Sequence, residues 1–205
     1  RMVMLAGIPA GVGLLMLAEP LASAMFQRGA FSADDAKMTG LALSATAIAV
    51  PAFMLTKVLL PAFFSRSDTK TPMRAAVATV FINIGLTAAI TTPLWQYGVH
   101  GAHAGIALAT SLAGIATAAL LWAWLHRDGL YRTQPGWGRY LLQVLVAAGL
   151  MALALGALRS WLGDFTAMAE WPRIAAVLGC VAAGAGVYAL SLLALGVRPR
   201  QVWAH

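Results

Sequence analysis

The sequence predicts an all-α integral membrane protein with six transmembrane helices, and three observations carry that prediction. Of 205 residues, 60% are hydrophobic and only 10% charged, with a mean hydropathy of +0.78. A soluble domain carries about a quarter charged residues. This chain lacks the polar surface to coat a globule in water, whereas hydrocarbon solvates an apolar exterior directly. Six apolar runs, at 2–26, 38–64, 73–97, 101–125, 138–162 and 173–196, each reach the roughly 20 residues that span about 30 Å of hydrocarbon. The charges collect in the short connections between them.

Run one starts beside Arg1 and is too long for a signal-peptide core. The absence of an initiating Met leads us to expect a piece of a longer chain. Gly7 and Gly11 form a small-xxx-small pair for close helix packing. Pro9 is expected to kink the run. Glu19, before Pro20, either reaches the interface or borders a water-filled cavity between helices.

Ser32 and Asp35 resemble a capping box ahead of run two. Pro51 and Pro61 are expected to kink that run, and kinked helices are tolerated where they line a cavity. Lys57 either snorkels to the nearby end of its helix or borders a cavity. Thr71-Pro72 reads as an N-cap and first helical position for run three. Asn83 and Thr87, four apart, share one face of that run, and Thr110 and Ser111 lie inside run four. Two readings fit these groups: interhelical hydrogen bonding, or oxygen ligands for a hard cation along a polar path.

Gly101 and Gly105 form a second small pair. His100 and His103 lie in a Gly-rich connection without a carboxylate or Cys beside them, so no metal site is assigned. Pro135-Gly136 breaks the chain before run five, and Cys180 in run six reads as a small apolar residue. Trp95, Tyr97, Trp122, Trp124, Trp137, Tyr140, Trp161 and Trp171 lie near run ends, as interfacial aromatic belts do. No nucleophile, phosphate-cradling or paired-acid constellation is visible, so no catalytic residue is assigned and an enzyme is not expected.

Orientation follows from Lys and Arg. One side receives Arg1, Lys57, Arg66, Lys70, Arg74, Arg127, Arg132, Arg139, Arg198 and Arg200 with two acids, a net +8. The other receives Arg28, Lys37, Arg159 and Arg173 with five acids, a net −1. The first side is expected to be cytoplasmic, with both chain ends there. This bias accounts for the net charge of +7 without nucleic acid as a partner.

Two connections are more specific than composition. The outer one reads Phe26-Gln27-Arg28-Gly29-Ala30-Phe31-Ser32-Ala33-Asp34-Asp35, followed by Thr39. The inner one reads Leu60-Pro61-Ala62-Phe63-Phe64-Ser65-Arg66-Ser67-Asp68-Thr69-Lys70-Thr71-Pro72. Together with Pro135-Gly136-Trp137, they resemble the characteristic loops of the MurJ (MviN) family of bacterial lipid II flippases. That family belongs to the multidrug/oligosaccharidyl-lipid/polysaccharide exporter superfamily.

The resemblance implies that the six runs correspond to helices nine to fourteen of a fourteen-helix, two-lobed flippase. Residues 1–125 would complete the C-terminal lobe, 126–140 form a cytoplasmic loop, 141–197 supply two extra helices forming a lipid-tail groove, and 198–205 form a cytoplasmic tail. It also implies a multi-pass protein of the bacterial inner membrane, with membrane lipids and lipid II as partners and alternating access as the mechanism. Glu19, Arg28 and Lys57 are the candidate cavity and substrate residues. Some members bind sodium, and Asn83, Thr110 and the Ile106 carbonyl match that pattern. Thr87 stands where those members carry an acid, so a charge is missing there. No cofactor is implied, and sodium or the membrane potential would drive the cycle. A related exporter of drugs or other lipid-linked sugars, or a non-transporting scaffold, are the alternatives. The 205-residue chain alone lacks one lobe of such a transporter and is expected not to flip lipid. Reconstitution into liposomes checks this, and flipping by the isolated chain would refute it.

Overall fold

The structure, a computed structural model, describes residues 2–96, 103–129 and 136–196. Arg1, Tyr97, His100, Gly101, Arg132, Pro135, Arg198 and Arg200, which figure in the sequence reading, lie outside the described residues. Among the described residues seven helices follow one another: α1 (Met2–Phe26), α2 (Ala33–Ala47), α3 (Val50–Phe64), α4 (Lys70–Gln96), α5 (His103–Arg127), α6 (Trp137–Leu162) and α7 (Glu170–Ala194). A short 3-10 turn, Phe165–Ala167, joins α6 to α7. No strand occurs among the described residues. Among the described residues five helices are long and apolar enough to cross a membrane, and the bent pair α2 and α3, counted as one broken span, brings the number to six.

The second run departs most from a simple helix. Ser32 caps α2: its hydroxyl accepts from the Asp35 amide at 3.2 Å, and the Asp35 carboxylate accepts from the Ser32 amide at 2.9 Å. Two orphan amides are thus satisfied reciprocally, and the helix starts at Ala33, five residues before the apolar run. The span then bends by 42° between α2 and α3. Pro51, in the first turn of α3, has no N–H to donate, and the Ala49 amide tightens onto Thr46 O at 3.1 Å. The kink therefore falls just before Pro51, while Pro61 remains within α3.

The start of α4 corrects the sequence reading. Thr71 is not the cap, because the helix already begins at Lys70. Asp68 takes that role, accepting from the amides of Lys70 at 3.1 Å and Thr71 at 3.0 Å. A carboxylate competes well for helix N-terminal amides. Bonds from the Thr71 side chain and amide hold the Asp68 carboxyl below its ordinary value. Tyr140, in the first turn of α6, is buried against Ile8, Val144 and Ala148. Trp95, Trp161 and Trp171 do stand out, each about 80% exposed at a helix end.

Helix α1 is the shared wall. It packs against α2 and α3 on one side and against α6 and α7 on the other, while α5 packs against α2, α3 and α4. Close approach depends on small residues. A Cβ on Gly11 would sit 2.9 Å from Ala47 O and 3.2 Å from Pro51 Cδ, so α1 fits directly into the bend of the broken span. A Cβ on Gly40 of α2 would sit 2.8 Å from Glu19 Cα. Gly40→Leu is expected to destabilise the protein by about 1–3 kcal/mol, because backbone rather than a side-chain tip must yield. Gly85→Ala, where nothing lies within 4 Å, should be tolerated. Thermal unfolding of the full-length protein in detergent distinguishes the two.

Candidate functional site

Two sites stand on opposite sides of the bundle, one apolar and one polar. The apolar site is a groove of about 410 Å³ between α1, α6 and α7. Ala10, Gly13 and Leu17 of α1, Met151 and Leu155 of α6, and Cys180, Gly184 and Ala185 of α7 are among its walls. The space exists because several of these are small: at Gly184 any Cβ would already touch the Leu155 methyls at 3.2–3.3 Å. At the Phe26 end of α1, Leu17, Leu155, Phe165 and Val177 pack into a closed cluster. At the Met2 end, Ile8, Tyr140, Val144 and Ala148 do the same.

The groove is apolar along its walls and polar at its ends. Near Phe26, Arg159 of α6 donates to Met16 O at 2.7 Å and pairs with Glu19 at 3.1 Å. Arg173 of α7 is buried, and donates to Ser23 O at 3.0 Å and Met168 O at 2.6 Å. Gln27 Nε2 donates to Thr166 O at 3.0 Å. Outside these, Arg28 pairs with Glu170 at 2.9 Å, both half exposed. In the connection itself, Asp164 accepts from the Thr166 amide and hydroxyl, which lowers its carboxyl below the usual value. Toward the Met2 end, the Tyr188 hydroxyl donates to Leu5 O at 2.8 Å and Gln143 to Leu195 O at 2.8 Å.

The polar site is a seam between α4 and α5. Thr87 Oγ1 donates to Asn83 Oδ1 at 3.3 Å, Asn83 Nδ2 to Thr110 Oγ1 at 3.2 Å, and Thr110 Oγ1 to Ile106 O at 3.0 Å. The hydroxyls of Thr79 and Thr117 meet one turn further along. A cavity of about 170 Å³ borders the seam, lined in part by Phe53 and Thr56 of α3. The seam is uncharged: among its lining residues no carboxylate appears. A wider hollow of about 720 Å³ opens beyond it, between Trp95, Gln96, His103 and Ile106.

The structure thus brings Asn83, Thr87, Thr110 and the Ile106 carbonyl together. It places Glu19 and Arg28 in ion pairs with the α6 and α7 side, at one end of α1. Lys57 stands exposed on α3, with no ion pair among the described residues. Ser111, read with Thr110, instead turns to α2 and donates to Ala45 O at 2.7 Å. His103 lies 3.3 Å from Met38 O through Nε2. Sequence reasoning missed Arg159, Arg173 and Tyr188, treating the first two only as loop charges. For Tyr188 and Arg159 the available signal was Pro9 and Pro20, which leave the Leu5 and Met16 carbonyls in need of donors; no such signal marks Arg173.

A match to the family described as lipid II flippase MurJ covers residues 1–175. The chain belongs to the MurJ family. It is 34% identical to a probable lipid II flippase MurJ of Vibrio cholerae, over 100% of this chain and 38% of that protein. A lipid II flippase MurJ of Burkholderia cenocepacia is 30% identical over 97% of this chain and 37% of its own length. The chain therefore spans little more than a third of the relatives it matches. A solved MurJ structure in an inward closed conformation superposes with a TM-score of 0.68 at 26% identity, covering 92% of this chain and 35% of that one. With its apolar helices, this MurJ family member is a multi-pass membrane protein.

Two cations at the Phe26 end of the groove differ in burial, and so in expected energy. Arg173→Met should cost about 2–3 kcal/mol, because it removes charge-assisted bonds to buried carbonyls. Arg28→Met should change stability by less than about 0.5 kcal/mol, since an exposed pair gains little. Unfolding of both variants in detergent tests the contrast.

Proposed function

We propose that this chain forms the C-terminal part of a transporter that flips lipid II from the cytoplasmic to the outer leaflet. Family membership supports the transporter, and the apolar groove between α1, α6 and α7 carries the reading of this chain's part in it. The six spans would be helices nine to fourteen of the two-lobed whole, with α6 and α7 as the extra pair. A slot with apolar walls and polar ends suits a long isoprenoid tail, whose transfer out of water or past polar protein is unfavourable. The charged headgroup cannot cross hydrocarbon unaided at a useful rate, so it would travel through a cavity between the lobes while the tail stays in the groove. The charge bias supports a bacterial inner-membrane location with both ends of this chain in the cytoplasm. The role assigned to these residues is positioning and transport, with no bond made or broken.

The neutral seam bears on coupling. Asn83, Thr87, Thr110 and the Ile106 carbonyl offer oxygens but no negative charge, and the two hydroxyls are already bonded to the Asn83 amide and the Ile106 carbonyl. A sodium ion bound there would give up its hydration for neutral ligands alone. We therefore favour the membrane potential over sodium as the driving force, and flipping in proteoliposomes with sodium replaced by choline should be retained.

Gly13 faces the groove, with only the Met151 methyl near, at 3.8 Å from a Cβ placed on it. Gly13→Phe in the full-length protein is expected to fill the slot and abolish rescue of cells depleted of their own lipid II flippase, with the protein still folded in the membrane. Full rescue by that variant would overturn the groove's role.

A further inference from the structure

An α-helical amide donates to the carbonyl four residues earlier, and proline has no amide to give. In α1 this strips Leu5 O of its donor because of Pro9, and Met16 O because of Pro20. In hydrocarbon no water replaces the missing donor, so each such carbonyl needs a partner from the protein. Both have one, and both partners come from the last two helices. The Tyr188 hydroxyl of α7 reaches Leu5 O at 2.8 Å, and the Arg159 guanidinium of α6 reaches Met16 O at 2.7 Å. At the bend of the second span a carbonyl is left open differently, by the Ala49 amide turning to Thr46 O, and there too a side chain from another helix, Ser111 of α5, donates to it at Ala45 O.

We propose that Tyr188 and Arg159 are positioning residues that register α6 and α7 on α1 by occupying the two carbonyls that Pro9 and Pro20 leave open. The sites are eleven residues apart on α1, about 16 Å along the helix. On α7 and α6, Tyr188 follows the groove-lining Gly184 by one turn and Arg159 follows Leu155 by one turn. The two bonds therefore fasten α6 and α7 to α1 along the groove, which Tyr188 itself helps to line, and hold its walls at a set spacing. A ridge-and-groove contact alone permits helices to slide, whereas a donor matched to a single vacant acceptor does not. The three helices consequently move as one body. The consequence for transport rests on the groove reading above, but the registration does not.

The test is a double-mutant cycle in the full-length protein. Tyr188→Phe keeps the ring and removes the donor. It is expected to lower the midpoint of thermal unfolding by about 2–4 °C. The Pro9→Ala background restores a backbone amide that can serve Leu5 O, and Tyr188→Phe should then shift the midpoint by less than about 1 °C. The same variant should raise the lipid II concentration for half-maximal transport about threefold, again only while Pro9 is present. An equal thermal loss in both backgrounds, or none in either, overturns the proposal. Thermal coupling with unaltered transport keeps the registration and removes the groove reading instead. If Pro9→Ala fails to fold, the cycle of Arg159→Met against Pro20→Ala decides. There the loss should shrink to the share owed to the Glu19 pair, and a loss unchanged by Pro20→Ala overturns the proposal.

Discussion

A backbone carbonyl inside a membrane has no water to fall back on, and most of this architecture answers that constraint. Helix α1 carries two internal prolines, so it cannot satisfy its own backbone. Its missing donors come from α6 and α7, and the carbonyl of Ser23 near its end also accepts from Arg173. The helix is thereby committed to its neighbours by hydrogen bonding as well as by packing. On its other face, Gly11 and Gly40 allow backbone-to-backbone approach with the broken second span. One helix thus joins the four-helix part to the final pair.

The two sides of α5 and α1 solve different problems. Between α1, α6 and α7, apolar walls with small residues leave a slot, and the polar groups are confined to its ends. Between α4 and α5, hydroxyls and one amide pair across the interface and leave no net charge. Interhelical bonds of this kind contribute about 0.6 kcal/mol each on average. They specify which faces meet more than they stabilise the bundle.

Much of this could be read before any coordinates. The apolar runs lie within a few residues of the helices, and Ser32 with Asp35 forms the capping box that their spacing suggested. Asn83 faces Thr110 as two polar residues in facing spans should. The roles of Arg159 and Arg173 were not legible, because a cation near a run end looks the same whether it faces water or folds back onto a carbonyl. For a related reason the sequence places Tyr140 near a run end but does not show that it turns inward, onto Ile8 and Val144. Thr71 lost its capping role to Asp68, since local spacing cannot rank competing acceptors.

The amino-acid sequence by itself determined that this chain spans a membrane, where its helices run, which ends carry the positive charge and which backbone carbonyls lack a donor. Those properties are local: they depend on hydropathy, on charge and on the missing amide of proline. Only the tertiary structure decided which side chain meets each open carbonyl, where the second span bends and where space remains between α1, α6 and α7. These depend on contacts between residues up to 183 positions apart, such as Tyr188 and Leu5, which no local pattern encodes.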